Sequence, residues 1–171
     1  MKYLFVFFLA FPLFTVGQDC KIKKQTDPYT KETKLTTGFV SLGAGMTRVS
    51  LSIDATKTDI EFIFSVNDGK EGKCFDNNSS AVMLYEGGRL KGNFKNSSSM
   101  NCEGLFTISF RNVNTTPTTL KNLAAKKVLS IKLTGNAKDV TEISLNEEEQ
   151  QMLMTLAGCM IDESKTLIKK P

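Results

Sequence analysis

The side chains with the greatest chemical potential are four cysteines, Cys20, Cys74, Cys102 and Cys159, and a group of carboxylates, Asp54, Asp59, Glu61 and Asp68. The chain of 171 residues has no histidine. That excludes the usual Ser-His-Asp and Cys-His hydrolase arrangements, His-ligated metals and imidazole proton shuttles. Zinc would have to be held by cysteines, yet no C-x-x-C spacing occurs. The carboxylates lie near one end of an expected hairpin. A glycoside hydrolase of carboxylate type is the remaining hydrolytic chemistry, because it needs only two such groups at a set separation. Exposed acidic residues beside a turn more often serve solvation. Asp68 and Asp76 with Asn77 and Asn78 suggest a calcium loop, but the spacing fits no EF-hand and Gly69 is misplaced for one; turn residues are the expected reading. No glycine-rich phosphate loop is present. The expectation is therefore no catalytic, cofactor-binding or metal site.

The cysteines fit cross-links better than reaction. Lys2 is followed by an apolar run from Tyr3 to Phe14 and small residues at Thr15-Val16-Gly17. This is the pattern of a secretory signal peptide, too short to span a bilayer comfortably. Cleavage is expected after Gly17, and Asp19 stands where lipidation of Cys20 would need a small residue. The expected organisation is a signal peptide over 1–17 and a single disulfide-stapled, β-rich domain over 18–171, periplasmic or extracellular and monomeric. Losing the leader removes only Lys2, so the formal charge falls from +4 to +3. That balance is ordinary for a soluble protein and is no nucleic-acid footprint. Lys21-Ile-Lys-Lys24 reads as a solvated N-terminal tail.

In an oxidising compartment four cysteines allow three pairings. The stretch Lys73–Arg111 favours one of them. Ala81–Tyr85 and Arg89–Phe94 are strand-like, and Gly87-Gly88 can take the positive φ at both central positions of a type I′ turn. Such a hairpin brings Cys74 and Cys102 to the same end, which leaves Cys20 to join Cys159. Loop-closure entropy values these links at about 3.5 and about 5 kcal/mol as upper guides. Leu105–Phe110 alternates with an apolar face of Phe106, Ile108 and Phe110, so a stapled three-stranded antiparallel unit is expected.

Other elements follow from periodicity. Lys34–Leu42 reads as a strand after the turn-rich Gln25–Thr33. Val49, Leu51 and Ile53, then Ile60, Phe62, Phe64 and Val66, recur with period two, each opposite a polar face. Thr116 as N-cap with Pro117 at the first helical position starts a short helix ending near Lys126. Val128–Thr134 and Val140–Leu145 are strands. Asn146 with Glu149 forms a capping-box pattern for a helix from Glu147 to about Asp162, with an apolar stripe of Met152, Leu153, Leu156, Cys159 and Met160. The expected fold class is α+β, mainly antiparallel β, as a two-layer sandwich or partial barrel with a short helix and a C-terminal helix. Met83, Met100, Met152, Met154 and Met160 are expected as core fillers. Asn77, Asn78, Asn96 and Asn114 each open an N-x-S/T acceptor, meaningful only in a glycosylating secretory pathway.

Three stretches, Gly72-Lys-Cys-Phe-Asp76, Ala81-Val-Met-Leu-Tyr-Glu-Gly-Gly88 and Asn101-Cys-Glu-Gly-Leu-Phe106, resemble a pattern in small exported proteins of Gram-negative bacteria. Asp27-Pro-Tyr-Thr30, Lys127-Val-Leu-Ser-Ile131 and a C-terminal helix with a cysteine extend the likeness over most of the chain after the leader. The resemblance implies compartment and fold, and carries over no functional residue. Export, disulfides and missing catalytic side chains point to a non-enzymatic binding or structural protein of the envelope or exterior, with a protein or small ligand as partner and no cofactor. Three alternatives remain: a lipocalin-like carrier with Phe62, Phe64, Phe106 and Phe110 lining an apolar cavity, an inhibitor of an extracellular hydrolase presenting Asn96-Ser-Ser-Ser99, and the carboxylate hydrolase.

Overall fold

The structure is a computed structural model and describes residues 20–44, 48–67 and 73–168. The expected leader, Asp68 and Gly69 lie outside those residues. Among the described residues no helix is long and apolar enough to cross a membrane.

Strong period-two alternation produces the longest strands. β4 (Arg48–Ala55) and β5 (Asp59–Asn67) pair antiparallel, Leu51 opposite Phe64 and Ile53 opposite Phe62. They are the centre of a six-stranded sheet ordered β1 (Lys23–Thr26), β2 (Thr33–Thr36), β4, β5 and β8 (Leu105–Arg111), with β3 (Val40–Leu42) also on β4. The second sheet runs β10 (Val140–Ser144), β9 (Val128–Thr134), β6 (Ser80–Tyr85) and β7 (Lys91–Lys95). The short helix α1 (Thr118–Ala125) precedes β9, and α2 (Glu147–Ser164) touches β2, β4 and β5 of one sheet and β9 of the other. The fold is α+β and mainly antiparallel β, with a short helix and a C-terminal helix.

Several local expectations need correction. No stapled three-stranded unit exists: β6 and β7 pair, but β8 belongs to the other sheet beside β5. Between β7 and β8 the chain crosses from one sheet to the other, and there Phe106, Ile108 and Phe110 pair in register with Phe64, Phe62 and Ile60 of β5, with ring contacts between Phe62 and Phe110 and between Phe64 and Phe106. The connection from β6 to β7 is five residues, 86–90, closed by Gly88 N–H to Tyr85 O (3.1 Å) and Tyr85 N–H to Leu90 O (3.1 Å). Gly87 and Gly88 do take φ of 80° and 70°, conformations that cost an L side chain strain. The strand expected over Lys34–Leu42 is broken at Thr37–Phe39, where Gly38 adopts φ 67°. Lys23–Thr26 is an edge strand and not a free tail. Pro117 is the N-cap of α1 and not its first turn, and no side chain caps that end.

The C-terminal helix follows its local signals more closely. Asn146 Oδ1 accepts from Glu149 N–H and Asn146 N–H donates to Glu149 Oε2, each at 2.9 Å, which is the reciprocal capping box. Its buried stripe is Leu153, Ala157, Met160 and Ile161, turned about one position from the expected one, so Met152 and Leu156 are only partly covered. Cys159, beside that stripe, is bonded to Cys20 (Cα–Cα 5.8 Å). The core lies between the sheets and under α2. Phe94 of β7 meets Phe110 of β8 edge to face at 6.0 Å, and Phe106 meets Phe64 at 6.4 Å and Phe75 at 5.4 Å. A crevice at Ile60, Leu120 and Ile161 has no room for a water molecule.

Candidate functional site

Asp54 and Glu61 are cross-strand partners, and Asp59 stands opposite Arg111. Ser52 and Asp54, on the face read as wet, are buried. Asp54 is bound by Lys34 Nζ at 2.7 Å and accepts from the hydroxyls of Thr36 and Ser52, the latter at 2.9 Å. Burial is tolerated because each polar atom has a partner. A carboxylate so occupied is an anchor between β2 and β4, and neither Asp54 nor Glu61 lines any of the clefts described below. Asp76 is likewise a turn residue: the Ser79 hydroxyl, then the Asn78 and Ser79 N–H groups, hold its carboxyl below the ordinary 3.8. Among the described residues no cluster of cysteine, aspartate or glutamate is placed to hold a metal ion. Tyr85 is buried in the second sheet, and desolvation pushes its phenol up to about 12, out of reach of acid–base work at neutral pH.

The phenylalanines proposed to line a carrier cavity instead fill the interior. Phe62 meets Phe110 edge to face at 5.7 Å, and Phe62, Phe64 and Phe106 have no exposed surface. The open spaces lie on the outside. An apolar groove of about 560 Å³ runs between β3 and α2, over Val40, Met152 and Leu156. A larger cleft of about 750 Å³ lies where β1, the turn after it and the β4–β5 turn converge. Lys24, Lys31 and Lys57 line it with Thr33 and Thr58, and among the described residues Glu32 is its one carboxylate.

The connection from β7 to β8 is held at both ends by side-chain hydrogen bonds and a disulfide. Asn96, 4% exposed, donates from Nδ2 to Asp76 O (3.0 Å) and Ser98 O (3.3 Å), and its Oδ1 accepts from Thr107 N–H (2.8 Å) and the Ser98 hydroxyl (3.1 Å). Ser97 N–H donates to Thr107 O at 2.8 Å. At the far end Asn101 and Phe75 exchange backbone hydrogen bonds, and Asn101 Nδ2 and Oδ1 bind the Leu105 backbone at 2.9 and 3.1 Å. Cys74 and Cys102 flank that bridge and are joined by a disulfide (Cα–Cα 3.9 Å). Gly104 follows with φ 74°, and a Cβ there would meet Val66 O at 2.6 Å. Between these anchors Met100 stands 65% exposed, so it is no core filler.

Asn96 is thus a structural clamp and no acceptable glycan carrier in the folded chain, whereas Asn77, Asn78 and Asn114 are exposed. Asn96→Ala leaves the Thr107 N–H without its acceptor and takes one of two donors from the Asp76 carbonyl, which keeps Ser79 N–H, and an expected loss of about 1–3 kcal/mol follows. Urea denaturation measures it; a loss under about 0.5 kcal/mol would show that the clamp is dispensable.

Comparison of the chain with family models, curated proteins and solved structures gave no match.

Two site features were out of reach of sequence reasoning. Lys24, Lys31 and Lys57 belong to separate elements and meet only through strand order. Asn96 reads locally as an exposed acceptor in a serine run; only the crossing to β8 turns it inward.

Proposed function

We propose that the protein is an exported, non-enzymatic binding protein of the periplasm or cell surface that engages a protein partner through the segment Ser97–Met100. The observation that carries this reading is a preorganised surface loop: buried Asn96 at one end, Asn101 and the Cys74–Cys102 link at the other, and an exposed methionine between them. A loop already held in one conformation loses little entropy on association, so more of its contact energy appears as affinity. The leader pattern, the two disulfides and the resemblance to small exported proteins of Gram-negative bacteria support the compartment.

The same loop favours one second reading, an inhibitor of an extracellular hydrolase. A rigid, stapled segment with one projecting side chain suits insertion into an enzyme cleft. The filled interior withdraws support from the carrier, and the occupied Asp54 from the carboxylate hydrolase.

The test immobilises the mature protein and its Met100→Asp and Met152→Asp/Leu156→Asp variants against envelope and culture-supernatant fractions. A partner is expected that wild type and the groove variant retain and Met100→Asp loses. Retention by Met100→Asp, or no retained partner at all, would remove the loop from the reading. Assay of the retained partner for hydrolase activity then separates the inhibitor from a binding protein of another kind.

A further inference from the structure

We propose that the cleft between β1 and the β4–β5 turn is a binding site for a saccharide carrying phosphate or sulfate groups. It is independent of the Ser97–Met100 loop. Lys24 comes from β1, Lys31 from the turn that joins β1 to β2, and Lys57 from the turn between β4 and β5. All three are exposed, and among the described residues none is in an ion pair, so three cations face one carboxylate, Glu32. Lysine ammonium groups bind phosphate and sulfate as point charges, and converging ones raise the local potential for an anion.

The walls of the cleft are fixed. Asp27 Oδ1 accepts from Tyr29 N–H (2.8 Å) and Thr30 N–H (2.7 Å), and Lys31 N–H donates to Asp27 O (3.0 Å). Lys31 itself is held at φ 59°, a strained position for a residue with a side chain. On the other wall, buried Asn112 donates from Nδ2 to Thr56 O (2.8 Å) and Ser164 O (3.0 Å), tying the β4–β5 turn to the end of α2. The lysines are therefore presented by a braced surface and not by a flexible tail.

The ligand class follows from what accompanies the charge. Thr33 and Thr58 contribute hydroxyls, and beyond Glu32 and Thr33 a second cleft of about 430 Å³ continues with Gln25, Thr26, Thr30, the Asp27 carboxylate and Lys34. The Gln25 amide, the threonine hydroxyls and the Asp27 carboxylate are groups that hydrogen-bond sugar hydroxyls. A volume of about 750 Å³ is far larger than one inorganic anion and sits within the range of sites for drug-sized ligands. Among the described residues no aromatic ring lines either cleft, so they offer no stacking platform of the kind single-stranded nucleic acids use.

The experiment measures binding of the mature protein to a sulfated oligosaccharide, its desulfated counterpart, inorganic phosphate and phosphatidylglycerol vesicles, by calorimetry and sedimentation. The sulfated oligosaccharide is expected to bind, more weakly as salt is raised, because exposed charges are screened. Lys24→Ala, Lys31→Ala and Lys57→Ala should each weaken it by roughly threefold to tenfold, and the triple variant should abolish it. Lys132→Ala, an exposed lysine of the other sheet, should leave it within about twofold. Equal binding of the desulfated saccharide, tighter binding of vesicles or of phosphate alone, or a triple variant that folds and binds like wild type would each overturn the proposal. Because Met100→Asp leaves this cleft intact, failure of the loop reading and failure of this one are separately visible.

Discussion

Replacing Cys20 and Cys159 by serine is expected to lower the unfolding free energy by about 3 kcal/mol, against a chain-entropy ceiling of about 5 kcal/mol for a link across 139 residues. The ceiling comes from the unfolded chain, which regains the freedom that the link removed. The native state regains some as well. β1 is exposed along its whole length and pairs only with β2, through Lys23–Thr36 to Thr26–Thr33. Once untethered, it can open locally without disturbing the phenylalanine core, and that local freedom offsets part of the loss. Hydrogen exchange should therefore show faster amides in β1 and β2 of the double variant at unchanged rates in β5 and β8. Urea unfolding gives the free energy; a loss under about 1 kcal/mol would mean that the link constrains neither state. The variant has a second consequence. Lys24 lies on β1, so release of that strand should weaken the sulfated oligosaccharide even though every lysine is still present.

How much of this was readable beforehand divides along the range of the interactions. Val49, Leu51 and Ile53 and the Ile60–Val66 run announce β4 and β5 because period two is a local property of a strand with one buried face. The capping box of Asn146 and Glu149 is local too, and α2 begins where it says. The alternation over Leu105–Phe110 marks β8 as a strand but not as a neighbour of β5. Adjacent strands in sequence commonly pair, but here the choice rests on Phe106, Ile108 and Phe110 finding Phe64, Phe62 and Ile60 across the register of β5, which no spacing near Cys102 encodes. Asp54 makes the same point. Its alternation with Val49, Leu51 and Ile53 implies a wet face, yet Lys34 and Thr36, brought in by β2, cover and satisfy it. The lysine cleft is the extreme case, since three surface lysines far apart in sequence look like solvation until strand order gathers them.

Phe106→Ala is expected to be the most destabilising single substitution among those considered, at about 3–5 kcal/mol. Phe106 has no exposed surface and sits between Phe64 of the neighbouring strand and Phe75, the residue whose backbone bridges to Asn101. Its ring is thus shared by the central sheet and the crossing segment that the Cys74–Cys102 disulfide secures. Removing the ring forfeits its transfer free energy and leaves a cavity that cannot collapse freely, because Phe75 is held by two backbone hydrogen bonds to Asn101 and the adjacent disulfide. In a domain of this size such a loss lowers the melting temperature by about 10 °C. Phe39→Ala provides the contrast, for Phe39 is 61% exposed and should change stability by no more than about 0.5 kcal/mol. Equal effects of the two substitutions would contradict the placement of Phe106 at the junction of the sheets. A large loss confined to Phe106 should also loosen the Ser97–Met100 loop, since Thr107, the next residue, supplies the N–H that Asn96 accepts and the carbonyl that Ser97 binds. Partner retention by Phe106→Ala should therefore fall below that of wild type at temperatures where the variant is still folded. If the loop binds as proposed, the core contributes to recognition by holding it in one shape.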